Sequence, residues 1–243
     1  MNGIINEKLA ELHHSVRRIN YLIDELGAKS YLEVGVFKGR TFRQVNAAEK
    51  YAVDPDFHFK CPEKFNPNEA YFKGMSDDFF QSLDPKKKLD IVFLDGLHTF
   101  EQTYRDFCNT LAHIHDESII LIDDTLPSDP FSAISDKARS KGMRKICNSD
   151  NTKAWHGDVY KLVFLIHDFY PAFSYGTIKG SGNPQTLVWK SKFKEKRLPI
   201  FDNLEIISRL SYFDLIDNIR ILKIDTEVNV LNRCISSFLP GVE

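Results

Sequence analysis

Five carboxylates stand at or near the points where short apolar runs stop. The runs "SYLEVGV" (30–36), "KYAVDPD" (50–56), "LDIVFLDG" (89–96) and "SIILIDDT" (118–125) carry Glu33, Asp54, Asp95, Asp123 and Asp124. Carboxylates that converge repel one another unless one is protonated or a cation lies between them, and hard oxygen ligands suit Mg²⁺ or a similar divalent ion. Side chains alternate along a strand, so Asp123 and Asp124 share a pocket only if the backbone turns there. "IDDTLP" supplies that turn, with Pro127 close behind. Three residues past Asp95 stands His98, whose neutral imidazole suits a general base worth about 10²- to 10⁴-fold in rate. Glu101 and His156 are weaker candidates for supporting or substrate contacts.

These residues need elements to position them. Residues 6–26 place apolar side chains at three- and four-residue steps, one face of a helix, with Gly27 as its stop. The four acid-tipped runs have the continuous Val, Ile, Leu and Phe content of strands covered on both faces. Between them, 39–49, 57–88 and 97–117 are long enough for crossover helices. That repetition gives a parallel sheet with right-handed crossovers, whose ligands bind beyond the carboxyl ends of the strands. All five acids lie toward those ends.

Helical spacing resumes at Val159 to Ile166, with Asp158 as its N-cap, after a polar stretch that could fold over the site. "FSYGTI" (173–178) and "QTLVWK" (185–190), joined by "KGSGNP", read as a hairpin closing the sheet edge. Two helical patterns, 201–222 and 226–239, follow; their apolar faces need a cover from this domain or from another subunit, which admits a homo-oligomer.

The loop in "YLEVGVFKGRTF" (31–42) discriminates between two cofactors. A dinucleotide site wants G-x-G-x-x-G, so that backbone can approach a pyrophosphate. Here the first of those positions is Glu33, which would repel a pyrophosphate and favour S-adenosylmethionine, with its positive sulfonium and amino groups. The stretch "LEVGVFKGRT" with "AVDPD" resembles the first two motifs of class I S-adenosylmethionine-dependent methyltransferases. The resemblance implies an α/β Rossmann-like doubly wound fold, with a mostly parallel seven-stranded sheet, an antiparallel edge hairpin, and N- and C-terminal helices. It implies that Gly35 and Gly39 let the backbone pass close to the cofactor, that Asp54 holds the ribose hydroxyls, and that Ser76 and Asp77 in "GMSDDFF" border the adenine. Glu33 and Asp95 complete the implied cofactor set.

"FLDGLHTFEQTYRDF", "ILIDDT" and "WHGDVYKLV" resemble, more narrowly, the branch that methylates sugar hydroxyls, including those of macrolide antibiotics and of bacterial glycolipids and surface polysaccharides. In that branch acids at these positions bind a divalent metal, which implies Asp95, Asp123 and Asp124 as ligands and His98, Asp95 and Asp124 as the catalytic group. The expectation is an O-methyltransferase acting on a sugar or glycan hydroxyl; a non-catalytic S-adenosylmethionine-binding protein and a metal-dependent hydrolase are the alternatives. The methyltransferase domain is expected over 1–190, with a helical extension over 191–243.

Composition narrows the partners. The 243 residues carry a net charge of −2, with no broad positive field for nucleic acid. The basic runs "PKKKLD" and "KSKFKEKR" read as solvated turns. The four cysteines form no C-x-x-C pair, and no window is apolar enough to span a bilayer, so a cytoplasmic protein with a small-molecule or glycan substrate is expected. His13, His14, His113 and His115 read as surface or packing residues, Asp106 and Arg105 as an exposed helical face, and Trp155 as a loop anchor more than a sugar platform.

Overall fold

The computed structural model describes residues 12–61, 66–149, 154–190 and 196–238; the first turns of the expected N-terminal helix and most of "KSKFKEKR" lie outside them. The described chain runs α1 (His14–Leu26), β1 (Ser30–Val34), β2 (Glu49–Asp54), β3 (Glu69–Lys73), α2 (Ser76–Ser82), β4 (Leu89–Leu94), α3 (Phe100–Ala112) and β5 (Ile114–Asp123). It continues through α4 (Lys137–Ile146), α5 (Tyr160–Phe169), β6 (Phe173–Ile178), β7 (Gln185–Lys190), α6 (Leu204–Arg209), α7 (Tyr212–Asp217), β8 (Ile224–Asp225) and α8 (Glu227–Ser236).

The strands form one sheet in the order β3-β2-β1-β4-β5-β7-β6-β8. Strands β1 to β5 pair in parallel; β7 pairs antiparallel with both β5 and β6, and β8 runs parallel to β6. Eight strands thus replace the expected seven, because two residues of the tail, Ile224 and Asp225, pair with Thr177 and Ile178 and put β8 outside the hairpin. The chain order reverses at β1 and β4, where a doubly wound sheet opens a crevice for a ligand.

Alternation along the strands feeds two cores. Leu32, Val34, Val92, Leu94, Ile120 and Ile122 face a layer that includes Phe107 of α3, Leu162 and Val163 of α5, and Ile207 and Leu215 of the tail. Tyr31, Ile91, Phe93, Ile119 and Leu121 face the other layer, with Ile19 and Leu22 of α1 and Val230, Leu231 and Cys234 of α8. The apolar faces of the tail helices are therefore covered in large part by this domain, while Leu198, Leu204, Ile206, Phe213 and Ile216 remain exposed.

Several expectations change. Residues 39–49 hold no crossover helix, only a 3-10 turn at Phe42–Gln44; Gly39 at φ +65° breaks the chain's entry, and Phe42 packs edge-on to Tyr71. The face left bare is covered from outside the crossover by α1 and α8. The 57–88 stretch supplies strand β3 as well as α2. The single pattern at 201–222 divides into α6 and α7, each with its own cap at Asn203 and Ser211. Asp158 does not cap α5; its Oδ1 accepts the Phe100 N–H at 2.8 Å and so caps α3, while Oδ2 holds Lys161 Nζ at 2.8 Å. Gly27 closes α1 in the left-handed conformation, as its sequence position predicts.

Candidate functional site

A cavity of about 600 Å³ opens beyond the carboxyl ends of β1, β2, β4 and β5. Its walls include Gly35, Asp54, Ser76, Asp95, His98, Asp123 and Asp124. A smaller cavity of about 300 Å³ adjoins it, sharing Gly35, Phe37 and Asp95 and adding His13, Glu33, Lys38 and Arg40.

The first loop is built on a close approach. A Cβ on Gly35 would lie 1.9 Å from the Asp95 carbonyl oxygen, and Gly35 sits at φ +90°. Only glycine lets the ends of β1 and β4 meet so tightly. Asp54 fixes the same loop, since its Oδ2 accepts the Phe37 N–H at 2.7 Å and its Oδ1 the Asp56 N–H at 2.7 Å. Gly39 lines neither cavity; its bare Cα accommodates the Phe59 ring. Asp77 also stands outside both, paired with Arg105 at 3.3 Å.

At the end of β5 the backbone turns as "IDDTLP" demands. Asp124 adopts φ +60°, so both aspartates reach the cavity. Asn183, from the loop between β6 and β7, joins them by donating to Asp123 Oδ1 at 2.6 Å and to Asp124 Oδ1 at 2.7 Å. The sequence placed Asn183 in a turn and nothing more. A side-chain amide in a turn-rich segment carries no periodic signal, and its partners lie about 60 residues upstream.

His98 is also in the left-handed region, at φ +59°. Its Nδ1 lies 2.5 Å from Asp124 Oδ2 and its Nε2 lies 3.5 Å from Asp95 Oδ1. The first contact is close but off the N–H axis, so buried Nδ1 has no aligned hydrogen bond. Two left-handed residues that touch across a cavity are strain concentrated at one place. The segment Trp155–Gly157 packs over the ring: Trp155 stacks on it with centroids 4.8 Å apart and planes 5° apart. A Cβ on Gly157 would meet the His98 carbonyl oxygen at 1.7 Å. The other occupant near the Trp155 ring is Lys137 Nζ, 4.7 Å from its centroid, and the indole N–H donates to the Ile134 carbonyl. His156, buried, holds Nε2 3.9 Å from Asp124 Oδ1. Glu101 lies on α3 and lines neither cavity.

The electrostatics follow from crowding acids. Burial, then the charges of Asp123, Asp124 and Glu33, raise the Asp95 carboxyl well above its usual range. Burial and Asp124 push Asp123 up to about 7. Glu33, buried with its carboxylate accepting from the Tyr31 hydroxyl at 2.6 Å, is pushed by burial up to about 8. Burial lowers the His98 pKa, but its contact with Asp124 and the charge of Asp123 outweigh that and raise it. A set of acids this reluctant to ionise lacks positive charge.

Asp95, His98 and Asp124 each offer one ligand atom, all within 4.8 Å of one another. Two carboxylate oxygens and an imidazole nitrogen suit a divalent cation. Asp123, expected in that set, is turned to Asn183 and the Asp124 N–H instead.

One expectation is reversed here. Asp106 is not on an exposed face; it is buried and lines the large cavity with Gln102 of the same helix. Gln102 and Asp106 are four residues apart on α3, so they share a face, but the face that looked polar was polar because it borders a cavity.

Residues 32–125 match a family model described as "Methyltransferase domain". No curated protein matches the chain. Among solved structures, the chain is similar to a provisionally assigned caffeoyl-CoA O-methyltransferase from Staphylococcus aureus, at 14% identity and TM-score 0.50, over 74% of this chain and 84% of that one. An O-methyltransferase from Bacillus cereus in complex with SAH is 15% identical, with TM-score 0.46, over 76% of this chain and 87% of that one. At 14% identity the likeness to the Staphylococcus aureus structure is one of fold. No described helix is long and apolar enough to cross a membrane. The segment that resembles a methyltransferase domain holds Glu33, Asp54, Asp95, His98, Asp123 and Asp124, so the candidate site lies within it.

Proposed function

We propose that the protein transfers the methyl group of S-adenosylmethionine to a hydroxyl oxygen, with a sugar or glycan as the acceptor. The observation that carries this reading is the acid-lined cavity at the switch point of a methyltransferase sheet, with a histidine held at its wall. In the proposed binding mode Asp54 accepts the ribose hydroxyls, and the methionine amino group reaches the small cavity beside Glu33 and Asp95. An ammonium there would hold Glu33 ionised, supplying the counter-charge that the buried acid lacks. Lys38, Arg40 and His13 line the same cavity and suit the methionine carboxylate.

The acceptor hydroxyl lies against His98. Nδ1 rests on Asp124, which leaves Nε2 to take the proton. The oxygen attacks the methyl carbon in line; the new O–C bond forms as the C–S bond breaks, its electron pair stays on sulfur, and S-adenosylhomocysteine leaves. Trp155, stacked on His98, and Asn183, bonded to both aspartates, keep the base and its partner in place. Trp155 serves here as an anchor for the ring.

A second reading of the same three side chains has its own support in their spacing, one ligand atom from each within 4.8 Å of the others: Asp95, His98 and Asp124 would hold a divalent cation. Such an ion, when bound, lowers the pKa of the acceptor hydroxyl and orients it. The sugar acceptor is supported by the motif resemblance over 93–107, 120–125 and 155–163.

The test is transfer of a labelled methyl group from S-adenosylmethionine to a panel of glycan and glycoside hydroxyls. His98→Ala should lose about 10²- to 10⁴-fold in rate while S-adenosylhomocysteine still binds. A chelator that abolishes wild-type transfer, with restoration by Mg²⁺, selects the metal-assisted form. An alanine variant as active as wild type contradicts the role of His98.

A further inference from the structure

The amide that bridges the two aspartates is gripped from behind. Asn183 sits in a loop with two glycines at positive φ, Gly180 and Gly182, a backbone that needs outside contacts to hold one conformation. Helix α1 supplies them. Arg18 Nη1 donates to the Asn183 carbonyl at 3.0 Å and Nη2 to the Ser181 carbonyl at 2.9 Å, so one planar guanidinium spans the loop on either side of Gly182. The Asn183 N–H donates to His14 Nε2 at 3.2 Å. Burial pushes the His14 pKa down to about 4, which keeps that nitrogen unprotonated and able to accept. Both backbone polar groups of Asn183 are thus fastened to α1.

Arg18 is itself fixed. Fully buried, it donates through Nε to Glu227 of α8 at 3.0 Å, and Ser181 Oγ donates to the same carboxylate. At the other end of the chain of contacts, Asp124 accepts the Asn183 amide on Oδ1 at 2.7 Å and faces His98 Nδ1 with Oδ2 at 2.5 Å. A shift of the amide therefore turns the carboxylate against the imidazole. Residues His14, Arg18, Asn183 and Glu227 all lie outside the segment 32–125 that matches the methyltransferase model.

We propose that α1 positions the reacting groups through Arg18 and His14: they hold the Asn183 amide on Asp123 and Asp124, and so set the carboxylate on which His98 rests. The C-terminal helix belongs to the site by the same route, through Glu227. The inference rests on His98 as the base of the methyl transfer proposed above.

A double-mutant cycle separates positioning from support of the fold, because a residue that acts through Asn183 loses its effect on rate once the amide is gone. The variants are Asn183→Ala, Arg18→Lys and the two combined; lysine keeps the charge for Glu227 but offers one nitrogen to the two carbonyls. The rate is transfer of a labelled methyl group from S-adenosylmethionine to the glycoside hydroxyl that wild type methylates fastest. Asn183→Ala should lower kcat by about ten- to a hundredfold and Arg18→Lys by about tenfold, with the KM for the donor and the rise in melting temperature given by S-adenosylhomocysteine unchanged. The combined variant should turn over no more slowly than Asn183→Ala, while urea unfolding still registers the stability lost through Arg18→Lys. If Arg18→Lys does not fold, His14→Ala, which removes the acceptor of the Asn183 N–H and leaves the arginine in place, completes the same cycle with the same expectation. A full rate in the α1 variant, or an equal rate loss with and without the amide, overturns the proposal while leaving the methyl transfer intact. A wild type that methylates no member of the panel removes the reading on which the inference rests, and the inference with it.

Discussion

The Arg17–Arg18–Glu227 cluster and the Glu33–Asp95–Asp123 cluster both bury charge, and they are built in opposite ways. In the first, Glu227 on α8 takes Arg17 Nε at 2.7 Å and Arg18 Nε at 3.0 Å. Arg18, fully buried, spends its remaining N–H groups on the Ser181 and Asn183 carbonyls and on Gln185. Despite burial, the bonds from Arg17 and Ser181 and the two arginine charges hold the Glu227 pKa down to about 2. In the second cluster acids face acids, and their pKa values rise. The first cluster, two guanidiniums on one carboxylate, ties α1, α8 and the Asn183 loop together; in the second, acids crowd acids. A buried group in which opposite charges meet holds elements together, while buried like charges that raise one another's pKa mark a candidate ligand site.

That contrast is breakable at its structural end first. Glu227→Gln leaves the buried Arg18 guanidinium without its counter-charge, and removing one partner of a buried pair costs about 3–5 kcal/mol. Urea unfolding should report a loss of that size; a loss under about 1 kcal/mol would mean the cluster is not what joins the two termini.

The two clusters should also answer pH with opposite sign. Glu227 has a depressed pKa, so its stabilisation is full above the unfolded value near 4.5 and disappears as pH falls through about 2. Glu33 has a raised pKa, so the fold binds its proton more tightly than the unfolded chain does. Its contribution is full below 4.5 and is lost as pH rises toward about 8. Glu33→Gln should therefore flatten the decline in stability between pH 5 and 8, a slope of at most about 1.4 kcal/mol per pH unit for one proton. Parallel wild-type and variant curves across that range would contradict the buried, protonated acid.

Much of the site was legible because it sits at strand ends. The acids of β1, β2, β4 and β5 follow continuous apolar runs, and a parallel sheet gathers such ends in one place. What the sequence hid depends on contacts between segments far apart in the chain. Asn183 reaches Asp123 and Asp124 from a hairpin turn, and Ser76 makes Asp106 an interior residue from 30 positions away. The missing helix at 39–49 was hidden for a similar reason, because its covering role falls to α1 and α8. Glu33 was legible as an acid near a strand end, but its burial beside Tyr31 was not. With a pKa pushed up to about 8, mainly by burial, it holds its proton through neutral pH.

The most direct test is the melting temperature of the wild-type protein with S-adenosylhomocysteine, set against the melting temperature with NADH. A ligand that binds only the folded state raises it, by about 2.7 kcal/mol of added stability at a hundred times the dissociation constant. A clear rise with the nucleoside and none with the dinucleotide is the expected result. A rise with NADH and none with S-adenosylhomocysteine would contradict a cation-seeking methyl-donor site at Glu33.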